Sequence, residues 1–525
     1  MSELKLNVGT GIVAALSTVA AITGLLAIRY NDRALFDEKR EGIPSPKGVP
    51  ILGNLLNISR NKHRYFEYLL EVYEQLDTLT FRSSSLGIPS NITTVDPKNI
   101  EYILKDNFNN YIKSQNFRRV FFDFFGDGIF NTDGESWRLQ RRTSSQIFHV
   151  KNFQTAFTRV FIDHADVICD QIFDPAVENS QVLDFHNLML RYTMDTFVEI
   201  AFGVKLNSLL KRVDFSESFD ILQLDNYSRI IFPFHSITRK FQDTFGKQKT
   251  VKQHLQTIDD FVYGIIRQRR LEKEQNPDLF TKSDDYKTDL LFRFMKAESA
   301  TGELYTDTQL RDTMLNMLIA GRDTSAQTLS WFFYCLMKYP EVEDKLLQDI
   351  ETFIPDGIEE DTVKVYEAIQ KMKYSHAVLY EVLRMYPSVP SNRRQALQDD
   401  ILPDGTHVKK GDEVVFQPFC QGRHEKVWGP DAKQFKPERW LSEEGNLVRP
   451  ESGKFVVFHM GPRICLGQNM ATLEVLLAMS LLLKKYKFTR VPGHVVEFSN
   501  QVTLSMKDGM KITVEKRTRT AMHCV

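Results

Sequence analysis

The sequence predicts a mainly α-helical fold with small β-sheets, built as a single large domain behind an N-terminal transmembrane helix. Three observations predict it. Apolar residues recur at helical spacing through most of the chain, strand-like alternation is confined to short pieces, and an uncharged stretch lies near the N-terminus. With 42% hydrophobic residues, 26% charged residues and a net charge of −1, the chain is globular in composition and lacks the basic face that nucleic acid requires.

The uncharged stretch runs from Leu6 to Ile28, 23 residues. That length crosses a hydrocarbon core of ~30 Å at the helical rise of about 1.5 Å per residue. A cleaved signal peptide is the alternative, but it would have a shorter apolar region and a small-residue cleavage site. Here the stretch leads into Arg29, Arg33, Lys39 and Arg40, against Lys5 on the other side. The positive-inside rule then predicts a single-pass anchor over residues 1–30 with the bulk of the chain cytosolic, and the endoplasmic reticulum is the membrane expected for it. Residues 31–50 read as a linker with basic residues at Arg33, Lys39, Arg40 and Lys47 and prolines at Pro44, Pro46 and Pro50. Proline at that density stiffens the chain, as a plain spacer or as a lever against the membrane. No comparable linker follows, so residues 51–525 read as one domain.

Helical patterns run near 62–76, 135–147, 155–173, 185–203, 250–275, 307–338, 340–353, 371–386 and 467–485. Strand patterns fall near 78–95, 395–416 and in the last 35 residues. The pattern over 307–338 is the clearest: Thr306 and Gln309 form a capping box, Pro340 stops it, and it is apolar on most sides. Such a helix runs through the middle of a protein. The cysteines, Cys169, Cys335, Cys420, Cys465 and Cys524, are scattered and include no C-x-x-C pair, which speaks against a disulfide framework or a zinc site.

Four motifs carry chemistry. In Phe458-His-Met-Gly461-Pro-Arg463-Ile-Cys465-Leu-Gly467 a tight loop delivers a cysteine to a helix N-terminus, where free N–H groups favour the thiolate. Gly461 and Gly467 allow unusual backbone angles and close approach to something flat, and Arg463 can meet a carboxylate. Glu381-Val-Leu-Arg384 puts opposite charges on one helical face, and Phe435-Lys-Pro437-Glu-Arg439-Trp440 follows it. Ala320-Gly321-Arg322-Asp323-Thr324-Ser325 sets charges inside the apolar helix, where they need partners or a task. The plainer reading there is a kink at Gly321 with a buried Arg–Asp pair. Trp137-Arg-Leu-Gln-Arg141 is the fourth.

Together these motifs resemble the cytochrome P450 superfamily, over roughly residues 45 to 515. The resemblance implies the cytochrome P450 fold and haem b, with Cys465 as the axial iron ligand and Phe458, Gly461 and Gly467 around it. It implies that Trp137, Arg141, Arg463 and Arg394 hold the haem propionates. Glu381, Arg384 and Arg439 would form a buried network bracing the haem loop. Gly321 would leave room for dioxygen, Thr324 would hold oxygen or a water, and Asp323 would relay protons. Electrons would come from NADPH through cytochrome P450 reductase, with cytochrome b5 as a further partner.

Within the superfamily, Asn316-Met-Leu-Ile-Ala-Gly-Arg-Asp-Thr-Ser325 and Leu329-Ser-Trp-Phe-Phe333 are similar to the yeast alkane- and fatty-acid-oxidising enzymes, and more loosely to plant fatty-acid ω-hydroxylases. That implies terminal hydroxylation of n-alkanes or long-chain fatty acids. Phe117, Phe121, Phe122, Phe124, Phe125 and Phe130 read as a greasy channel, and Ile230-Ile-Phe-Pro-Phe234 as a bilayer contact. Sterols or other lipids are the alternative substrates, and a non-enzymatic haem-binding membrane protein is the alternative class.

Overall fold

A computed structural model describes residues 2–232, 235–246, 248–275 and 289–518, without the side chains of residues 2–11 and Asn500. Cys524 and the Pro233-Phe234 end of the stretch read as a bilayer contact lie outside the described residues. The first helix, α1 (Ser2–Arg29), contains a window from Ile12 to Arg29 with a mean hydropathy of 2.0, none of it buried against the protein. It is a candidate membrane anchor.

The segment after α1 is clamped rather than loose. Ile51 donates its N–H to the Tyr30 carbonyl at 2.9 Å, and Ala34 donates to the Ser84 hydroxyl at 3.0 Å. Asp37 pairs with Arg82 at 2.6 Å and accepts from Ser90 at 2.7 Å, while Arg40 reaches Asp412 at 3.0 Å. These partners stand on or beside a five-stranded sheet. Its strands are β1 (Thr80–Ser85), β2 (Ile88–Thr94), β3 (Tyr111–Ile112), β4 (Asn392–Ala396) and β5 (Glu413–Phe416), in spatial order β1-β2-β5-β4-β3. Only the β2–β5 pair is parallel.

The rest is mainly helical beside three smaller sheets of two or three short strands, and each helix expected from periodicity is present within a few residues of its expected bounds. Of those not expected, two bear on the site. The Phe-rich stretch before Trp137 is a helix, α2 (Gln115–Phe125), opened by a Ser114 side-chain cap. Phe121, Phe124 and Phe125 on it are buried; Phe124 lies 5.1 Å from Phe219 of α4 (Asp214–Ile231), the second unexpected helix. Those three rings are core, which corrects the channel reading for them; Phe122 is half exposed. In the chain between these two helices come the Gly134–Ser145 helix, which carries Trp137, and α3 (Phe185–Phe202).

The central helix runs over Asp307–Leu318, widens into a π turn over Ile319–Asp323 and continues over Thr324–Lys338. The capping box at Thr306 and Gln309 is formed in both directions. Its first half holds the end of α2: Asn316 donates to the Phe125 carbonyl at 2.8 Å and accepts from the Phe130 N–H at 3.0 Å. Pro340 then serves as the first residue of the next helix, Pro340–Phe353. A last long helix, Gln468–Lys485, is buried along most of its length and packs on the central one.

Candidate functional site: a thiolate loop among buried cations

The loop before the Gln468–Lys485 helix is held by its own backbone. Cys465 donates its N–H to the Phe458 carbonyl at 2.8 Å, and Ile464 donates to Gly461 at 3.1 Å across a 3-10 turn. Gly461 has a φ of +62°, and a Cβ there would run into the Leu104 carbonyl, so glycine is required twice over. Gly467 differs from expectation: its φ of −86° suits any residue, and its missing side chain faces only the Cys465 sulfur at 3.9 Å. Close approach to the sulfur side, not backbone strain, is the reason left for glycine there.

Cys169, Cys335 and Cys420 are buried, whereas Cys465 is open. Burial raises its thiol pKa, and the N–H groups of Gly467 and Gln468 together with Arg141 offset that rise only in part. A sulfur facing open space at a helix N-terminus, with N–H groups and a guanidinium in reach, is a ready metal ligand.

Cations gather on the same loop. Arg463 lies over the Trp137 ring at 4.3 Å and donates to the Asp133 carboxylate at 2.6 Å, and Arg141 donates to the Ile464 carbonyl at 2.8 Å. Arg394, from β4, is 1% exposed. Burial and then Arg463 hold it down at about 9, and burial holds Arg463 down at about 10 despite Asp133. Lys113, which no motif marks, is pushed well below the ordinary lysine range by burial and by Arg394 and Arg463. Among the described residues, Asp133 is the one carboxylate set against these three buried cations. Surplus buried charge of this kind is costly unless an anion joins it. The two carboxylates of a haem fit that surplus, beside a sulfur ready for its iron.

The charged pair inside the central helix has partners. Arg322 donates to Asp323 at 2.8 Å and to Asp220 of α4 at 2.7 Å, and burial pushes the Asp323 carboxyl up. The buried pair of the plainer reading is therefore present, at a point where the helix widens into a π turn. Thr324, partly open, donates to the Ala320 carbonyl at 2.6 Å, so Asp323 and Thr324 are adjacent in sequence but face different partners. Gly321 does not leave free space: a Cβ there would strike the Phe197 ring, so the glycine lets the Phe185–Phe202 helix approach.

Glu381 is fully buried and accepts five hydrogen bonds: two from Arg384 (2.7 and 2.8 Å), and one each from Arg439 (3.0 Å), the Trp440 indole (2.9 Å) and the Lys436 N–H (2.7 Å). Arg384 goes on to the carbonyls of Gly422, Ala432 and Gln434. Trp440 was not foreseen as a member of this network; its position in the motif admits other aromatics, and only the indole N–H reaches the carboxylate.

Glu474 was also missed. It is 1% exposed, accepts from Thr196 at 2.7 Å, and its carboxyl is pushed by burial up to about 7. A lone acid in the apolar run Met470–Leu483 was the available signal. Between the ordinary value of 4.5 and about 7 the folded state keeps a proton that the unfolded chain has lost, so stability falls as pH rises through that window. Glu474→Gln is expected to match the parent in thermal melts near the bottom of the window and to exceed it above the top, on the order of 3 kcal/mol.

A family model for cytochrome P450 matches residues 43–513. The chain belongs to the cytochrome P450 family. Its curated relatives include Cytochrome P450 704B1 of Arabidopsis thaliana, 34% identical over 90% of this chain and 95% of the relative. Cytochrome P450 monooxygenase cyp1 of Mycosarcoma maydis is 31% identical over 94% and 78%, and Alkane hydroxylase MAH1 of Arabidopsis thaliana 31% identical over 91% and 95%. This P450 is accordingly a haem-thiolate monooxygenase with a small-molecule substrate and a redox partner.

Proposed function

We propose that this P450 hydroxylates n-alkanes or long-chain fatty acids at the terminal carbon, on the cytosolic face of the endoplasmic reticulum membrane. NADPH–cytochrome P450 reductase would supply electrons, with cytochrome b5 as a second donor. Residues 1–30 anchor it, 31–50 link, and 51–525 form the catalytic domain. The observation that carries the reading is the open Cys465 sulfur beside Lys113, Arg394 and Arg463, which share the single carboxylate of Asp133. Alkane Hydroxylase MAH1 among the relatives supports the substrate class, as do the apolar stretches around Asn316 and Leu329.

A haem bound through Cys465 supplies activation of dioxygen and transfer of one oxygen atom to a C–H bond. The chain supplies the rest. Arg463 and Arg141, which lie over the Trp137 ring, would bind the propionates together with Trp137 and Arg394. Phe458, Gly461 and Gly467 shape the loop against the sulfur side. Thr324, released from the Ala320 carbonyl, can donate to a water or to oxygen, and Asp323, its carboxyl raised by burial, can hold a proton for relay while Arg322 and Asp220, whose side chain is 41% exposed, orient it. Glu381, Arg384 and Arg439 hold the architecture beneath the loop.

The test is product analysis with a reductase and NADPH across alkanes and fatty acids of graded length. Terminal alcohols are expected. Oxidised sterols in their place, or a thiolate-haem spectrum with no oxygen-dependent product, would overturn the substrate reading.

A further inference from the structure

His459 departs from what a tight loop wants. Its φ of +62° lies in the left-handed region, which glycine and asparagine occupy with ease and a ring-bearing side chain at a cost of roughly 1 kcal/mol. Backbone strain of this sort persists where the surroundings over-determine it. Here the surroundings are specific. The ring stands edge-on to Phe416 of β5 at 5.7 Å, and its Nδ1 lies 3.0 Å from the Met460 carbonyl. Its Nε2 lies 2.6 Å from Nη2 of Arg394.

The bonding pattern fixes the protonation. A guanidinium can only donate, so Nε2 must accept with its lone pair, and the proton belongs on Nδ1, where the Met460 carbonyl takes it. The imidazole is neutral, in keeping with burial and Arg394 driving its pKa well below the ordinary histidine range. Arg394 for its part is held by Nη1 to the Arg393 carbonyl at 2.9 Å and by Nη2 to His459, both uncharged acceptors. Its charge therefore remains available while its plane is fixed, with one anchor on the sheet and the other on the loop six residues before Cys465.

We infer that His459 is a positioning residue, whose ring aims the Arg394 guanidinium at a carboxylate of the prosthetic group and thereby governs how firmly that group is held. The inference rests on the reading of the Cys465 loop as the haem site. It explains why a strained histidine stands where glycine would be easier: glycine offers the backbone angle and no acceptor. A bidentate contact needs the guanidinium plane fixed as well as its charge nearby, and a flexible arginine would lose part of that contact.

The experiment is a double-mutant cycle on the holoenzyme with His459→Gly, Arg394→Ala and the pair, read by the rate of haem transfer to an excess of apomyoglobin and by the haem reduction potential. His459→Gly is expected to melt no lower than the parent yet lose haem roughly tenfold faster, the scale of a hydrogen bond to a charged group, with a lowered potential. On the Arg394→Ala background the same change is expected to add nothing. His459→Asn, at ease in the left-handed region and still bearing an acceptor, should fall between and serves where the glycine variant fails to fold. An unchanged haem-loss rate in His459→Gly, or an equal acceleration on both backgrounds, would overturn the inference while leaving the haem site intact. If Arg394→Ala itself retains haem like the parent, the propionate reading falls and the inference with it.

Discussion

Glu381→Ala is expected to yield no stably folded, haem-loaded protein. Five donors converge on this carboxylate, and Arg384 beside it is 1% exposed. Removing one member of a fully buried pair strands the other charge, which costs ~3–5 kcal/mol, comparable with much of a domain's net stability. The loss spreads further, because Arg384 and Arg439 also fasten the carbonyls of Ala432, Gln434 and Asp431. Soluble expression, thermal melting and haem content should therefore collapse together. Glu381→Gln keeps the volume and two acceptors' worth of geometry at one oxygen, and should be impaired less. A Glu381→Ala variant that melts like the parent would show the network to be dispensable.

Cys465→Ala is expected to do the reverse: spare the fold and remove the chemistry. The Cys465 side chain is open, and the bonds that shape its loop are backbone bonds that alanine keeps. Truncating an open side chain commonly changes stability by about 0.5 kcal/mol or less. With the sulfur gone, the Soret band of thiolate-ligated haem under carbon monoxide should be absent and turnover undetectable. Persistence of that band would remove Cys465 from the iron.

Much of this was legible in the sequence because it is local. Helical spacing, the capping box at Thr306 and the loop ending at Cys465 are each written within a dozen or so residues, and they stand where periodicity and turn chemistry put them. What escaped is set by partners far away in the chain. Lys113 and Asp133 join Arg394 and Arg463 only because β3, β4 and the loop meet in space. Gly321 answers to Phe197, more than 100 residues earlier, and Asp323 to an arginine shared with Asp220. The Phe-rich stretch was misjudged because aromatic rings that line a channel and rings that fill an interior look alike until their neighbours are known.

The clamp that follows α1 bears on how the molecule lives at a surface. A catalytic body on a slack tether wanders over a hemisphere and meets the bilayer with any of its faces. Here the peptide between Tyr30 and Ile51 doubles back on itself and is nailed to the sheet through Asp37, Ser84 and Arg82. The tilt of the anchor and the heading of the body thus become a single angle, like a mast stepped into a hull. With α1 as the anchor, lipid thickness, which sets the tilt of a membrane helix, would then also steer which side of the enzyme faces the bilayer.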